Sequence, residues 1–362
     1  LRCLVGSEMC IRDRPLFYAV SSAEIFAAGA VATLNALNAS FISFGCENAD
    51  IQMLKKIAIT LVNEPDEYKK HLKKALTCGD SFPTARAKAL SEFFKSDDIS
   101  RLISSPNNIL AIEYIKEIIK SESAVTPVAL TRKISGYHDN EIHENIASAS
   151  AIRKILHDSG IHKNNDSRCK NIKELQNVMP EAMYNILASE SQNNALIYAD
   201  DFSSMLNYKI SNIFYIAKYN KNACIETLCA YHDINKDLAC RIYSSFTGCD
   251  SFNGFIEKIK TRGFTYSRLS RCLMHIILDI KKENISQYKS LPYIRILGFD
   301  KKGREYLSQI KKTCPVPIIT KAADYKNLLT DDIHAASLYN QIVYTKSGTI
   351  NKDEFRQPLY IK

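Results

Sequence analysis

Ile146-Ala-Ser-Ala-Ser-Ala-Ile-Arg153 matters most of the runs that speak to architecture in this chain. A Ser-x-Ser-x-Ile-Arg run that opens an amphipathic segment places small residues, hydroxyls and free backbone amides at a helix N-terminus. An anionic phosphate is well held there, because unpaired N–H groups coincide with the positive end of the helix dipole. Arg153 falls about one turn into that helix, where a planar guanidinium can grip phosphate oxygens in pairs. Ser148, Ser150 and Arg153 are therefore candidate phosphate-binding residues. Two further stretches lie close by, Ser105-Pro-Asn-Asn-Ile-Leu-Ala-Ile-Glu-Tyr114 and Arg132-Lys-Ile-Ser-Gly-Tyr-His-Asp139. Each reads as a piece of a nucleotide site.

Working outward, residues 21–37 carry small and apolar residues at helical spacing, and Phe41 to Glu47 is a β-rich run ended by Gly45. A glycine at a strand end marks the ligand side of an open α/β sheet, because a side chain would block the nucleotide there. Helices are expected through Leu61, over 66–77 and over 83–95. The apolar spacing of Ile109 to Ile119 predicts a helix capped by Asn107 near its start. Val125 to Leu130 reads as the next strand, leading into Arg132. The order helix, strand, helices, strand, helix suits a parallel, doubly wound, Rossmann-like sheet. Taken singly, Gly45 reads as a turn glycine, Arg132 as half of a surface ion pair, and His138 beside Asp139 as local hydrogen bonding.

Beyond residue 166 the strand signals fade. Amphipathic stretches at 173–189, 201–218, 223–231, 234–246, 252–260 and 265–282 predict an all-helical second half, with small strands near Tyr293–Leu297 and Val316–Thr320. Leu269, Leu273, Ile276 and Ile280 form one buried stripe. The net charge of +9 is concentrated: residues 251–362 hold 20 basic and 10 acidic side chains, whereas the first 250 are nearly balanced. That excess points to a polyanionic partner. Lys260, Arg262, Arg268 and Arg271 are the residues chosen for it.

Composition excludes several classes. A hydrophobic share of 46% and a charged share of 24% are those of a globular protein with its own core. Eleven cysteines occur without a C-x-x-C pair, which argues against a zinc site and for reduced thiols filling cores. The uncharged run from Ile25 to Cys46 is interrupted by Gly29, Asn35 and Asn38, so helix, turn and strand fit it better than a membrane span. No protein partner is evident.

Residues 1–14 show neither alternation nor helical period. They are expected to be a non-native leader ahead of a partial ATP-binding domain (15–165) and a helical, basic domain (166–362).

These motifs in this order resemble the bacterial tRNA(Met) cytidine acetate ligase family, within the HxGH nucleotidyltransferase-like superfamily. The matching runs are PLFYAVSSAEIFAAGAV from Pro15, FISFGCE from Phe41, SPNNILAIEYIKEI from Ser105, ISGYHD from Ile134 and ASASAIRK from Ala147. They continue with Met179-Pro180, KTRGFTYSRLSR from Lys260, YIRILGFDKKGRE from Tyr293 and PIITK from Pro317. The resemblance implies a cytoplasmic bacterial enzyme. ATP and acetate would form acetyl-adenylate, and the acetyl group would pass to the N4 amine of the wobble cytidine of elongator tRNA(Met). It also implies ATP contacts from Gly45, Asn107 and Arg132, magnesium arriving with the nucleotide, and tRNA on the basic part.

The family's His-x-Gly-His motif does not occur in these 362 residues. The catalytic residues are therefore unassigned, and this chain is expected to be inactive and to leave one side of its sheet uncovered. Two other readings fit parts of the pattern: a cofactor adenylyltransferase, which shares the serine turn, and a non-catalytic RNA-binding protein.

Overall fold

The computed structural model describes residues 5–6, 10–13, 15–132, 142–143, 146–161, 172–193 and 196–361. Strand β3 (Phe41–Cys46) and strand β4 (Thr126–Thr131) pair in parallel, with Phe41 opposite Thr126 and Cys46 opposite Thr131. The connection between them runs through α3 (Ile51–Asn63), α4 (Asp66–Thr77), α5 (Phe82–Phe94), α6 (Asp97–Ser104) and α7 (Pro106–Lys120). Side chains alternate across a strand. Cys46 accordingly faces inward onto Leu54, Ile57, Ile112 and Ile115, with Phe44 packed against the same cluster. On the opposite face, among the described residues, Phe41 is 64% exposed, Leu130 57% and Val128 37%.

Local signals set the helix starts. Asp50 caps α3 by accepting from Gln52 N and Met53 N, both at 3.1 Å, and acidic Asp66 and Glu67 open α4. The helix preceding β3, α2 (Ala23–Ala36), follows the short α1 (Leu16–Ala19). Gly29 lets the two touch: a Cβ there would lie 2.4 Å from Tyr18 Cγ. Ala27, Ala30, Val31 and Leu34 of α2 pack on Ile42 and Tyr114. The end of α2 and α1 pack elsewhere, with Phe17, Tyr18 and Leu37 sharing a core with Leu278, Ile294, Ile296 and Leu307.

The second half is built from α9 (Glu181–Gln192), α10 (Ser203–Ile216), α11 (Lys221–Cys229), α12 (Lys236–Ser245), α13 (Phe252–Ile259) and α14 (Tyr266–Ile277), after α8 (Ala149–Ile161). The expected stripe is present: Leu269, Leu273 and Ile276 are fully buried, and Ile280 is 8% exposed. The helix expected over 173–189 is instead turns followed by α9, because Pro180 precedes its first turn.

A short antiparallel pair, β5 (Ile142–His143) and β6 (Ile146–Ala147), precedes α8, and a larger sheet is centred further along the chain. Its central strand β7 (Ile294–Phe299) pairs in parallel with β8 (Ile318–Ile319) and β9 (Tyr360–Ile361). It pairs antiparallel with β2 (Cys10–Asp13), which in turn pairs with β1 (Val5–Gly6). The first fourteen residues, given no element from their pattern, thus contribute two strands. Gly298 permits the close approach of β9, since a Cβ there would meet Tyr360 O at 2.6 Å. Helices α15 (Lys301–Ile310) and α16 (Thr330–Ser347) flank this sheet. No helix among the described residues is long and apolar enough to cross a membrane. Of the described cysteines, Cys46, Cys224 and Cys272 are buried, while Cys78 and Cys249 are exposed.

Candidate nucleotide site

The C-terminal ends of β3 and β4 meet the N-terminus of α7. Asn108, which is 1% exposed, accepts from Glu47 N at 3.0 Å and Asn48 N at 3.3 Å through its side-chain oxygen. Its amide nitrogen donates to Leu102 O at 2.9 Å. One buried side chain therefore fixes the loop leaving β3 against the turn that enters α7, satisfying backbone groups that burial would otherwise strand. Beside it, Asn107 Nδ2 donates to Glu47 Oε1 at 2.8 Å. The other carboxylate oxygen of Glu47 is buried without a hydrogen-bond partner among the described residues. That group is poised to accept a donor from a ligand.

Arg132 follows β4 and extends the ladder by one bond, donating N–H to Cys46 O at 2.9 Å. Its side chain passes over Gly45, where a Cβ would sit 3.5 Å from Arg132 Cγ. The residue is exposed, and among the described residues no carboxylate pairs with it. The surface ion pair that is the usual fate of such an arginine is not formed with any described residue. A guanidinium without a carboxylate partner among the described residues thus stands at the carboxyl edge of two parallel strands, where open α/β sheets bind ligands.

Two local expectations change. Asn107 does not cap α7: Pro106 is the first helical residue, Ser105 holds the cap position, and the Asn107 side chain reaches sideways to Glu47. Proline suits that first position because its missing N–H has no partner to lose. Gly45 is not a turn glycine but the penultimate residue of β3, and its backbone is not left-handed. Its lack of a side chain leaves room on the face that carries Phe41. Glu47 and Asn108 escaped the sequence reading, although the adjacent Asn107–Asn108 pair in a proline-led turn was a usable signal.

The serine turn stands at the start of α8. Ser148, 2% exposed, caps that helix by accepting from Ala151 N at 3.0 Å. Arg153 Nη2 donates to Ser150 Oγ at 3.4 Å. These contacts lie within the turn, whereas Gly45, Asn107 and Arg132 bring separate elements together. Residues 133–141, including the Ser135–Asp139 run, lie outside the described residues.

The four basic residues chosen for a polyanion differ in availability. Arg262 is exposed. Lys260 Nζ pairs with Glu257 at 3.3 Å on the surface. Arg271 grips Asp233 Oδ2 through Nε and Nη2, at 3.2 and 3.0 Å. Arg268 donates to Asp233 O at 3.3 Å and stacks 5.2 Å over Phe264. Burial pushes the Asp233 carboxyl up, but Arg271 together with His232 and His275 outweighs it and holds the group below its usual value. Burial, then the Asp233 charge, push the neighbouring Cys272 thiol up to about 12, which makes it inert packing. Arg268 and Arg271 thus also secure the left-handed turn at Asp233, whose φ is 63°.

A parallel sheet carrying a glycine, an asparagine and an exposed arginine at its carboxyl edge suits a nucleotide ligand. The profile of the family described as HIGH Nucleotidyl Transferase matches residues 10–354. A tRNA(Met) cytidine acetate ligase of Clostridium novyi is 35% identical over 99% of this chain and 84% of its own length. One from Clostridium perfringens strain SM101 is 36% identical over 97% and 83%. Among solved structures, apo TmcAL of Thermotoga maritima superimposes with a TM-score of 0.83 at 25% identity, covering 98% of this chain and 84% of that one. The same protein bound with alpha-thio ATP gives 0.81. The chain belongs to the tRNA(Met) cytidine acetate ligase family, and it is an enzyme of the ligase class.

Proposed function

We propose that, in a polypeptide that also carries the family's His-x-Gly-His motif, these residues serve to activate acetate with ATP and to transfer the acetyl group to the wobble cytidine of elongator tRNA(Met). The 362 residues alone are expected to be inactive. An acetate oxygen attacks the α-phosphorus of ATP, and pyrophosphate leaves with the electron pair of the broken P–O bond. The N4 amine of cytidine then attacks the acetyl carbonyl carbon, AMP departs, and the amine loses a proton. Gly45 leaves room for the nucleotide, Asn107 and Glu47 offer it a donor and an acceptor, and the Arg132 guanidinium meets negative charge developing on the phosphates. Ser150, Arg153 and the first-turn amides behind Ser148 take the remaining phosphate oxygens.

Magnesium enters with the nucleotide. No group of three His, Cys, Asp or Glu able to hold a metal occurs among the described residues. In this reading residues 15–165 activate acetate in the bacterial cytoplasm, and residues 166–362 hold tRNA through Lys260, Arg262, Arg268 and Arg271.

The observation that carries the proposal is the contact of Gly45 with Arg132, two residues from the Glu47–Asn107 bond, in a chain similar over nearly its whole length to such ligases. Deletion of the gene should abolish N4-acetylcytidine in tRNA(Met), read by nucleoside mass spectrometry. An unchanged level overturns the proposal.

A further inference from the structure

Three tyrosines stand out from α10 and the turn that ends it. Tyr208 is 69% exposed, Tyr215 70% and Tyr219 65%, with Ile216 at 69%. Tyr208 and Tyr215 are seven residues apart, two helical turns, and so share one face about 10 Å apart. A singly exposed aromatic needs no explanation. Four large apolar side chains projecting from twelve consecutive residues do. Among the described residues no hydrogen bond or ring contact engages the three phenol groups.

The turn adds a second observation. Lys218 and Tyr219 are both left-handed, with φ of 50° and 56°. Their N–H groups close the helix onto Tyr215 O at 2.9 Å and Phe214 O at 2.8 Å. Glycine or asparagine makes such a turn with less strain; a bulky aromatic held there is an outlier of the kind that gathers at functional sites. Here the strain places an aromatic ring and a lysine at the end of the helix that carries Tyr215.

Charge selects the partner. From Ser203 through Ile225 the chain contains no acidic residue and three lysines. Lys209 is paired with Asp279. Lys218 and Lys221 are exposed and meet no carboxylate among the described residues. Aromatic faces interleaved with unpaired cations are what unpaired RNA bases and their phosphates require, since every base has a face to stack and every linkage a negative charge. A paired stem offers no free faces.

We propose that Tyr208, Tyr215 and Tyr219, with Lys218 and Lys221, form a stacking surface for the unpaired nucleotides of an RNA loop. This deepens the reading of the protein as a tRNA-modifying ligase and rests on it.

The chain has no tryptophan and 19 tyrosines, so the part of any tyrosine quenching that a double variant lacking Tyr208 and Tyr215 loses reports on those two rings. Binding is measured with a stem–loop RNA of seven unpaired nucleotides and with a blunt duplex of equal charge. The Tyr208→Leu/Tyr215→Leu pair keeps apolar bulk on an exposed face, and its melting temperature serves as the folding control. The expected result is quenching of wild-type fluorescence by the stem–loop and a loss of at least tenfold in stem–loop affinity in the double variant, with duplex affinity changed less than twofold. Lys221→Gln should weaken both RNAs and lower the salt dependence.

Wild-type protein that binds neither RNA overturns this surface and the tRNA reading together. Wild-type binding that the double variant retains in full overturns the surface alone. Self-association that the double variant abolishes, with RNA affinity unchanged, also overturns it and makes the face a contact between copies of the chain.

Discussion

Arg132 lies across Gly45, so that the one position in β3 without a side chain is roofed by the guanidinium-bearing residue that ends β4. The two are 87 residues apart in sequence and are joined only by parallel register. Gly45→Val puts two methyl groups beneath that arginine. A branched residue suits a strand, so stability should change by about 1 kcal/mol or less. ATP binding, measured by calorimetry, should fall at least tenfold. Arg132→Ala should weaken ATP to a similar extent and leave RNA binding intact.

Asn107 and Asn108 should separate cleanly. Asn108→Ala strands Leu102 O and the N–H groups of Glu47 and Asn48, and should destabilise the protein by about 2–4 kcal/mol in urea unfolding. Asn107→Ala removes one partly buried bond to Glu47. It should cost about 1 kcal/mol of stability or less while lowering nucleotide affinity. Equal destabilisation by both would contradict the assignment of Asn107 to the ligand.

Behind the sheet, Lys116 is ion-paired to Glu113 at 2.6 Å and to Glu24 at 3.0 Å, and Arg86 reaches Glu113 at 2.9 Å. Burial lowers the affinity of Lys116 for its proton, but its hydrogen bond to Glu113 and the charges of Glu113 and Glu24 outweigh it and hold the pKa above the ordinary lysine value. Glu113→Gln leaves the buried ammonium undercompensated and should cost about 3–5 kcal/mol at neutral pH. Because the native pKa is raised, the pairing of Lys116 contributes below pH 10.5 and is lost as pH rises through the native value.

The buried histidines give an acid limb. Both ring nitrogens of His275 face carbonyl oxygens, His232 O at 3.0 Å and Val20 O at 2.8 Å, and its ring centre is 5.1 Å from that of His232. Burial holds both imidazoles below 6.5 despite the nearby Asp233 carboxylate, with Arg271 adding to the depression. A lowered native pKa means that the unfolded chain takes up the protons first. Stability should therefore be flat above about pH 7 and fall as pH drops below 6.5, by up to about 1.4 kcal/mol per pH unit for each histidine. His232→Phe should remove one of the two steps, seen in urea midpoints between pH 7.5 and 5.

Much of this fold was legible from pattern. Helix 66–77, the strands at Phe41 and Thr126 and the Leu269–Ile276 stripe follow from period and burial alone. Helices Asp97–Ser104, Lys301–Ile310 and Thr330–Ser347 did not show. The last buries only Ile342 and Val343, so it has no apolar stripe to read. In the site, Gly45 and Arg132 were identified but their contact was not, because parallel register is invisible in one sequence. Asn107 was misread as a cap because the same amide chemistry serves a helix amide or a neighbouring carboxylate, and only tertiary packing chooses. The exposed tyrosines of α10 were hidden by a search for charge.

The packing of Phe17 and Tyr18 has a practical consequence. Phe17 stacks on Tyr288 with ring centres 4.6 Å apart, and Tyr18 donates its hydroxyl proton to Tyr288 O at 3.1 Å and Ser290 O at 3.2 Å. Residues from the beginning of the regular chain thus complete the hydrophobic filling of its last third. Expressing residues 166–362 alone would bare Leu278, Ile294 and Ile296 to water, and such a fragment should precipitate unless a peptide spanning residues 15–37 is supplied alongside it.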